Sequence, residues 1–235
     1  MKNIKQKIYH KLINNDLKYN LKSINRYKKN VSKKNSSLTE DKITQLKKLK
    51  DQINSIKNCE LQKNATNLVF ADGNPKSSIM IIGEGPGANE DKEGKPFVGR
   101  AGKLLDKMLE AIKLNRKNVY ISNVVNYRPP MNRRPTDQEI NRYLPFLSKH
   151  IEIINPKILF LLGSTALNAL IGDEDVISKA RGKWIKKKIG PVNPDIIISF
   201  HPAYLMRQPD QKKYAWEDLK MIRKKILELK IKISE

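Results

Sequence analysis

Four stretches of this chain hold chemically capable residues, three of them just after short apolar runs. The first is Gly83-Glu84-Gly85-Pro86-Gly87, followed by Asn89, Glu90 and Asp91. Glycines let a backbone approach a ligand closely and present its N–H groups, and Glu84 and Glu90 set carboxylates beside it. The second, 94–102 (GKPFVGRAG), carries Phe97, whose flat ring suits a flat stacking partner. Read alone, Phe97 is better taken as a core residue of its own loop. The third runs Asn123-Val124-Val125-Asn126-Tyr127-Arg128-Pro129-Pro130. The Asn123 carboxamide donates and accepts at once, which matches one edge of a pyrimidine ring; the plainer alternative is a loop cap. Arg133 and Arg134 follow among turn formers, suited to phosphate contacts or to simple solvation. The fourth is His201-Pro202-Ala203-Tyr204-Leu205-Met206-Arg207. His201 is one of three histidines and closes an apolar run. Leu205 and Met206, ahead of Arg207, have the character of a wedge that enters a base stack, or of ordinary core.

Apolar runs at 78–82, 119–124, 157–162 and 195–200 read as strands, and 102–114, 136–154, 164–170 and 216–227 as helices. Ile- and Val-rich strands separated by helices imply a parallel sheet covered on both faces. In such sheets ligands bind beyond the carboxyl ends of the strands, which is where three of the four chemical stretches lie. A further helix is expected over 40–56, with Thr39 as its N-cap and Glu40 and Asp41 in its first turn. Gly83-x-Gly85-x-x-Ala88 also fits a dinucleotide fingerprint. Pro86 inside the motif, and the lack of an acid at the end of the next strand, argue against that reading.

The 235 residues carry 47 Lys and Arg against 24 Asp and Glu, a net charge of +23. Part of the lysine excess fits drift in an AT-rich genome. A charge of this size still favours a polyanionic partner, with nucleic acid ahead of an anionic membrane surface. No apolar stretch reaches the roughly 18 residues a membrane span needs, and the N-terminal text lacks the apolar core of a secretory signal. Cys59 is the only cysteine, so no disulfide forms within the chain, and it reads as a small buried residue in a reduced cytosol. Residues 1–38 hold eleven basic residues and one acid. They are expected to form a basic, partly disordered extension, with a possible amphipathic helix on Ile4, Ile8 and Leu12 and a linker over 28–37. Residues 39–235 then form the catalytic domain.

Taken in order, GEGPGANEDKEGKPFVGRAGKLLD (83–106), NVVNYRPPMNRRPT (123–136), PKILFLLGSTA (156–166), RGKW (181–184) and HPAYLMR (201–207) resemble the family 4 uracil-DNA glycosylases. The resemblance covers about 56–227. It implies a three-layer α/β/α sandwich with a central four-stranded parallel sheet, and hydrolysis of the bond between uracil and deoxyribose in DNA. It further implies that 83–87 is the water-positioning loop, with Glu84 and Glu90 nearby, and that Gly83, Glu84 and Gly85 border uracil. Phe97 would stack on the base, Asn123 would read its polar edge, and His201 would stabilise charge on its oxygen. Arg133, Arg134, Leu205, Met206 and Arg207 would contact DNA. Which acid acts as base, if any, stays open.

Family members usually hold a four-iron, four-sulfur cluster on four cysteines. The corresponding positions here are Ile56, Cys59, Tyr127 and Tyr143, and one thiolate cannot hold such a cluster. No iron and no other cofactor is therefore expected. A monomeric protein of a bacterial-type cytosol, associated with the nucleoid and with uracil-containing DNA, is the reading that follows. A catalytically inactive DNA-binding relative, a glycosylase of shifted base preference and a nucleotide-handling enzyme remain as alternatives.

The first 50 residues hold 15 basic and 3 acidic residues, a net +12. Removing 1–36 is expected to flatten the salt dependence of DNA affinity. Titrations at several salt concentrations that give the same slope for both proteins would exclude a binding role for the arm.

Overall fold

The computed structural model describes residues 41–172 and 176–233. The expected extension, its amphipathic helix, Thr39 and Glu40 lie outside these residues. The first described helix, α1 (Lys42–Asn54), starts two residues later than the sequence suggests, and its N-cap is Asp41 rather than Thr39. A short helix α2 (Glu60–Asn64) follows. Then come strand β1 (Asp72–Gly73), β2 (Ile79–Gly83), α3 (Ala88–Glu93), α4 (Arg100–Ala111) and β3 (Tyr120–Asn123). The chain continues through α5 (Asp137–Ile154), β4 (Ile158–Leu162), α6 (Ser164–Leu170), α7 (Ile177–Ala180), β5 (Trp184–Lys186) and β6 (Asp195–Ser199). It closes with α8 (Pro202–Arg207) and α9 (Lys212–Glu228).

The four expected strands are present and parallel, in the order β3-β2-β4-β6. The sheet has six strands rather than four, because β1 pairs antiparallel with β3 and β5 antiparallel with β6. These edge strands are two and three residues long, too short to leave an alternation in the text. Short edges also leave little unpaired backbone for another chain to join.

Every residue of β2, β3 and β4 is buried, as strands covered on both faces must be. Successive side chains point to opposite faces, and the core divides accordingly. Met80, Ile82, Leu159 and Leu161 pack against α1, α5 and α6 through residues such as Leu49, Tyr143 and Leu167. Ile79, Ile81, Ile158 and Phe160 pack against α4 and α9 through Leu105, Leu109, Leu219 and Ile222. That is the three-layer sandwich.

Local signals set the ends of the long helix α5. Thr136 Oγ1 accepts from the Glu139 backbone N–H at 3.3 Å, and the Glu139 carboxylate accepts from the Thr136 N–H at 2.8 Å, a reciprocal N-terminal cap. Asn155 ends the helix in the left-handed region at φ 49°, a conformation asparagine tolerates better than most residues.

Inside the first layer, His150 on α5 stacks on Phe70 at 4.5 Å and shares a 2.9 Å hydrogen bond with Tyr120 Oη. Burial pushes its pKa down from 6.5 to about 3. The unfolded chain therefore takes up this proton below about pH 6.5 and the folded chain only near 3. The contribution is intact above 6.5 and is lost as pH falls towards 3, at up to about 1.4 kcal/mol per pH unit. Urea midpoints between pH 7 and 4.5 should fall more steeply for the wild type than for His150→Gln. Parallel profiles would show that another group carries the acid sensitivity.

Candidate active site

The strand order places β2 at the centre, with its sequence successor β3 on one side and β4 on the other. Chain direction across the sheet reverses there, and a crevice opens beyond the strand ends, the usual ligand position in such folds. A cavity of about 720 Å³ occupies it. Its wall draws on all four parallel strands: Glu84 and Gly85 after β2, Asn123 at the end of β3, Gly163 and Ser164 after β4, and Phe200 and His201 after β6. The residues expected to border a base thus come together from positions more than 100 apart in sequence.

Gly83, the last residue of β2, supports this convergence by having no side chain. A Cβ there would lie 2.4 Å from Phe97 Cζ and 2.6 Å from Asn123 Oδ1. Phe97 itself is buried, with its backbone in the left-handed region at φ 56°, which costs a non-glycine residue energy unless its surroundings enforce it. The enforcement is visible. Arg116 donates to the Pro96 carbonyl at 3.1 Å and to the Phe97 carbonyl, while Asp72 and Asp106 hold its guanidinium at 2.6 and 2.8 Å. On the far side, a Cβ on Gly102 would sit 1.7 Å from the Phe97 carbonyl oxygen, so α4 packs directly on this turn.

His201 faces Phe97, with ring centroids 5.5 Å apart and planes 29° from parallel. Its Nδ1 accepts from the Ala203 backbone N–H at 3.2 Å, capping α8. A neutral imidazole that accepts at Nδ1 carries its proton on Nε2. The ring is neutral, because burial, helped by Arg207 and opposed by Glu90, brings its pKa down to about 4. One edge remains open to the cavity, so the imidazole is desolvated without being sealed. The strand end that delivers it is pinned by Asp218 on α9. This fully buried carboxylate accepts from Ser199 Oγ at 2.5 Å and from Arg181 at 2.5 and 3.1 Å. Burial raises the Asp218 pKa, against these hydrogen bonds.

Asn123 carries the one buried side-chain polar atom without a hydrogen-bond partner among the described residues, its Oδ1. The two acids have different employment. Glu90 accepts from the Gly87 N–H at 3.1 Å and the Gly99 N–H at 2.7 Å, so its two oxygens tie the two glycine loops together. Glu84 lines the cavity, and its Oε2 accepts from Thr165 Oγ1 at 2.5 Å.

The expected DNA-contacting residues separate. Arg133 lines the cavity mouth and is paired with Glu139 at 2.6 Å, holding that carboxyl below its usual range. Arg134 is exposed, with its Nε donating to Thr165 Oγ1 at 3.0 Å. Arg207 is exposed at the rim and Met206 is partly buried. Leu205 is 1% exposed and packs with α4 and α9, so in this conformation it is a core residue and not a surface wedge. Met131, which the sequence did not single out, stands 92% exposed between Pro129 and Asn132, both of which line the cavity.

The four positions at which the resemblance places cluster ligands also converge. Cys59 Sγ lies 3.3 Å from Tyr143 Oη, Tyr127 Oη donates to Asn54 Oδ1 at 2.8 Å, and Ile56 packs against the same core. Burial raises the pKa of both tyrosines. One sulfur beside two phenols and an alkyl chain is not a donor set for an iron–sulfur cluster, and the residues present do not fit one.

Thr165, Arg116 and Asp218 had no distinguishing signal in the sequence. Thr165 and Arg181 lie in matched motifs, but nothing local gives them a role.

The family model described as the uracil DNA glycosylase superfamily matches residues 70–220. A type-4 uracil-DNA glycosylase of Sulfurisphaera tokodaii is 43% identical over 183 residues, covering 76% of this chain and 83% of that protein. One from Thermotoga maritima is 46% identical over 153 residues, covering 63% and 77% respectively. A third, from Pyrobaculum aerophilum, is 38% identical over 180 residues, covering 75% and 92%. With its strand-end cavity built from the same motifs that carry the resemblance, the chain belongs to the uracil DNA glycosylase superfamily, among its type-4 members.

Proposed function

We propose that this protein hydrolyses the N-glycosidic bond of uracil in DNA, releasing free uracil and leaving an abasic site, as a base-excision repair enzyme. The observation that carries the reading is the unpartnered Asn123 Oδ1 in a cavity faced by Phe97 and His201. A buried acceptor without a donor costs about 1–3 kcal/mol, and the N3–H of uracil supplies that donor. The carboxamide nitrogen then donates to the uracil O4.

Uracil inside a duplex is out of reach, so the nucleotide must turn out of the stack into the pocket. Phe97 stacks on the flipped base. As the bond between C1′ and N1 breaks, its electron pair moves onto the base and the sugar becomes oxocarbenium-like. The Nε2–H of neutral His201 donates to O2, where the negative charge gathers, and a donor already aimed there needs no reorganisation. Water then adds to C1′, its hydroxyl ending on the sugar and its proton reaching the uracil anion. Glu84 orients that water. Glu90 shapes the loop on which Glu84 stands. Gly83 and Gly85 keep the wall thin enough for close approach. Arg133, Arg134, Met206 and Arg207 meet the DNA backbone around the opening, and Leu205 supports α8 from below.

The chemistry passes through no iron. The Cys59–Tyr143 and Tyr127–Asn54 contacts occupy the family's cluster position and join the segment before α2 to α5, and the end of α1 to the loop after β3. The protein acts as a monomer in the cytosol, near the nucleoid, with residues 1–38 as a separate basic arm that adds non-specific DNA affinity. No helix among the described residues is long and apolar enough to cross a membrane.

Purified protein incubated with an oligonucleotide containing one uracil, then treated with alkali, should give strand cleavage. His201→Ala and Asn123→Ala should each slow it by about 100-fold or more, the usual scale for losing one such donor. Folded protein that releases no uracil from single- or double-stranded DNA would exclude the activity. Iron and acid-labile sulfide assays on the same active preparation should read blank, and stoichiometric iron would refute the replacement of the cluster. Because His201 is already neutral, the bound-state rate should show no inflection near pH 6.5. An inflection there that disappears in His201→Gln would mean the imidazole acts as a cation.

A further inference from the structure

Three side chains from separate parts of the fold form one hydrogen-bonded line from the protein surface to the cavity. Arg134 lies on the loop before α5, Thr165 at the start of α6, and Glu84 at the end of β2. Arg134 Nε is 3.0 Å from Thr165 Oγ1, and Thr165 Oγ1 is 2.5 Å from Glu84 Oε2. The direction is fixed by chemistry. An arginine nitrogen only donates, so the Thr165 hydroxyl accepts from Arg134, and its single proton is then available to Glu84. Both bonds are charge-assisted, the stronger class.

The two ends of the line differ in setting. Thr165 is fully buried and Glu84 lines the cavity. Arg134 is exposed and has no ion-pair partner among the described residues, whereas its neighbour Arg133 is held by Glu139. An exposed guanidinium without an ion-pair partner among the described residues, on the loop whose Arg133 and Pro135 line the cavity, suits a phosphate, which it grips through two parallel N–H donors.

We infer that Thr165 is a positioning residue that couples the grip of Arg134 on a DNA phosphate to the orientation of the Glu84 carboxylate. The line is already formed in the structure, with the exposed Arg134 at its outer end. A bound phosphate fixes the guanidinium plane, the plane fixes the hydroxyl, and the hydroxyl fixes the carboxylate that holds the attacking water. A seated backbone phosphate thereby holds the line in the arrangement that orients the carboxylate. This rests on the proposed role of Glu84 in uracil release.

Single-turnover uracil release at saturating protein, with DNA affinity measured in parallel, tests the coupling. Thr165→Val keeps the volume and removes the hydroxyl. It should bind DNA like the wild type but release uracil about 100-fold more slowly, the scale of a misplaced reacting group. Thr165→Ser, which keeps the hydroxyl, should restore most of the rate, an outcome that a purely packing role does not produce. Arg134→Lys keeps a charge for the phosphate but lacks the Nε donor, so it should slow the bound-state rate more than it weakens binding. In the Thr165→Val background, Arg134→Lys should slow the rate no further, because both remove one link. Thr165→Val or Arg134→Lys releasing uracil at the wild-type rate would overturn the coupling, as would effects of the two that simply multiply. Arg134→Lys also serves alone if Thr165→Val does not fold. Wild-type protein that releases no uracil at all would instead remove the activity itself, and the two failures are read from different samples.

Discussion

At the end of β2 the backbone, a phenyl ring and a carboxamide come within van der Waals reach of one another, because Gly83 has nothing beyond its Cα. Any side chain there would collide with Phe97 and Asn123 and push them away from the strand end. The closeness has a chemical use. Walls set close beside a bound base leave less room for water there, and with less water each hydrogen bond counts for more. The rest of the site serves this spacing. Arg116 holds Phe97 in an otherwise unfavourable backbone conformation, Glu90 ties the two loops that bring Phe97 over β2, and Asp218 fixes the strand that sets His201 opposite.

These three clamps share a design. Each is a charged side chain spent on geometry and not on reacting atoms. Two bind backbone carbonyl or N–H groups, and the third binds a strand-end hydroxyl. Charges are costly to bury unless paired, and each is paired here: Arg116 with two aspartates, Asp218 with Arg181, and Glu90 with two N–H donors. Asn123, Thr165, Ser199 and Asp218 are buried at or beneath the site, while the core clusters on either face of the sheet are aliphatic and aromatic.

The parallel strands were legible because double burial writes them as unbroken apolar runs, and α6 was legible from residue 164 to 170 as found. The site was legible because glycines, a lone histidine and an asparagine stand at strand ends, where the fold class concentrates chemistry. The edge strands were not, since two or three residues carry no period. Leu205 and Met206 were indistinguishable in sequence, although the first faces the core and the second is partly exposed. Arg116, Thr165 and Asp218 acquire meaning only from partners distant in sequence: Asp72 and Asp106, Glu84, and Arg181. No local pattern encodes such pairings. The cluster position was the converse case, where substituted residues were plain in the text and their mutual contact was not.

Two of the protein's sulfur atoms sit in opposite environments. Cys59, hydrogen-bonded to Tyr143, is 4% exposed, while Met131 on the cavity rim is 92% exposed. Oxidation follows access. A peroxide in solution reaches this methionine readily and turns its apolar tip into a polar, chiral sulfoxide between two residues that line the cavity. The thiol at the centre of the fold stays reduced. Oxidation would thus change the polarity beside the cavity well before it loosened the fold, and reductive repair of that sulfoxide would reverse it.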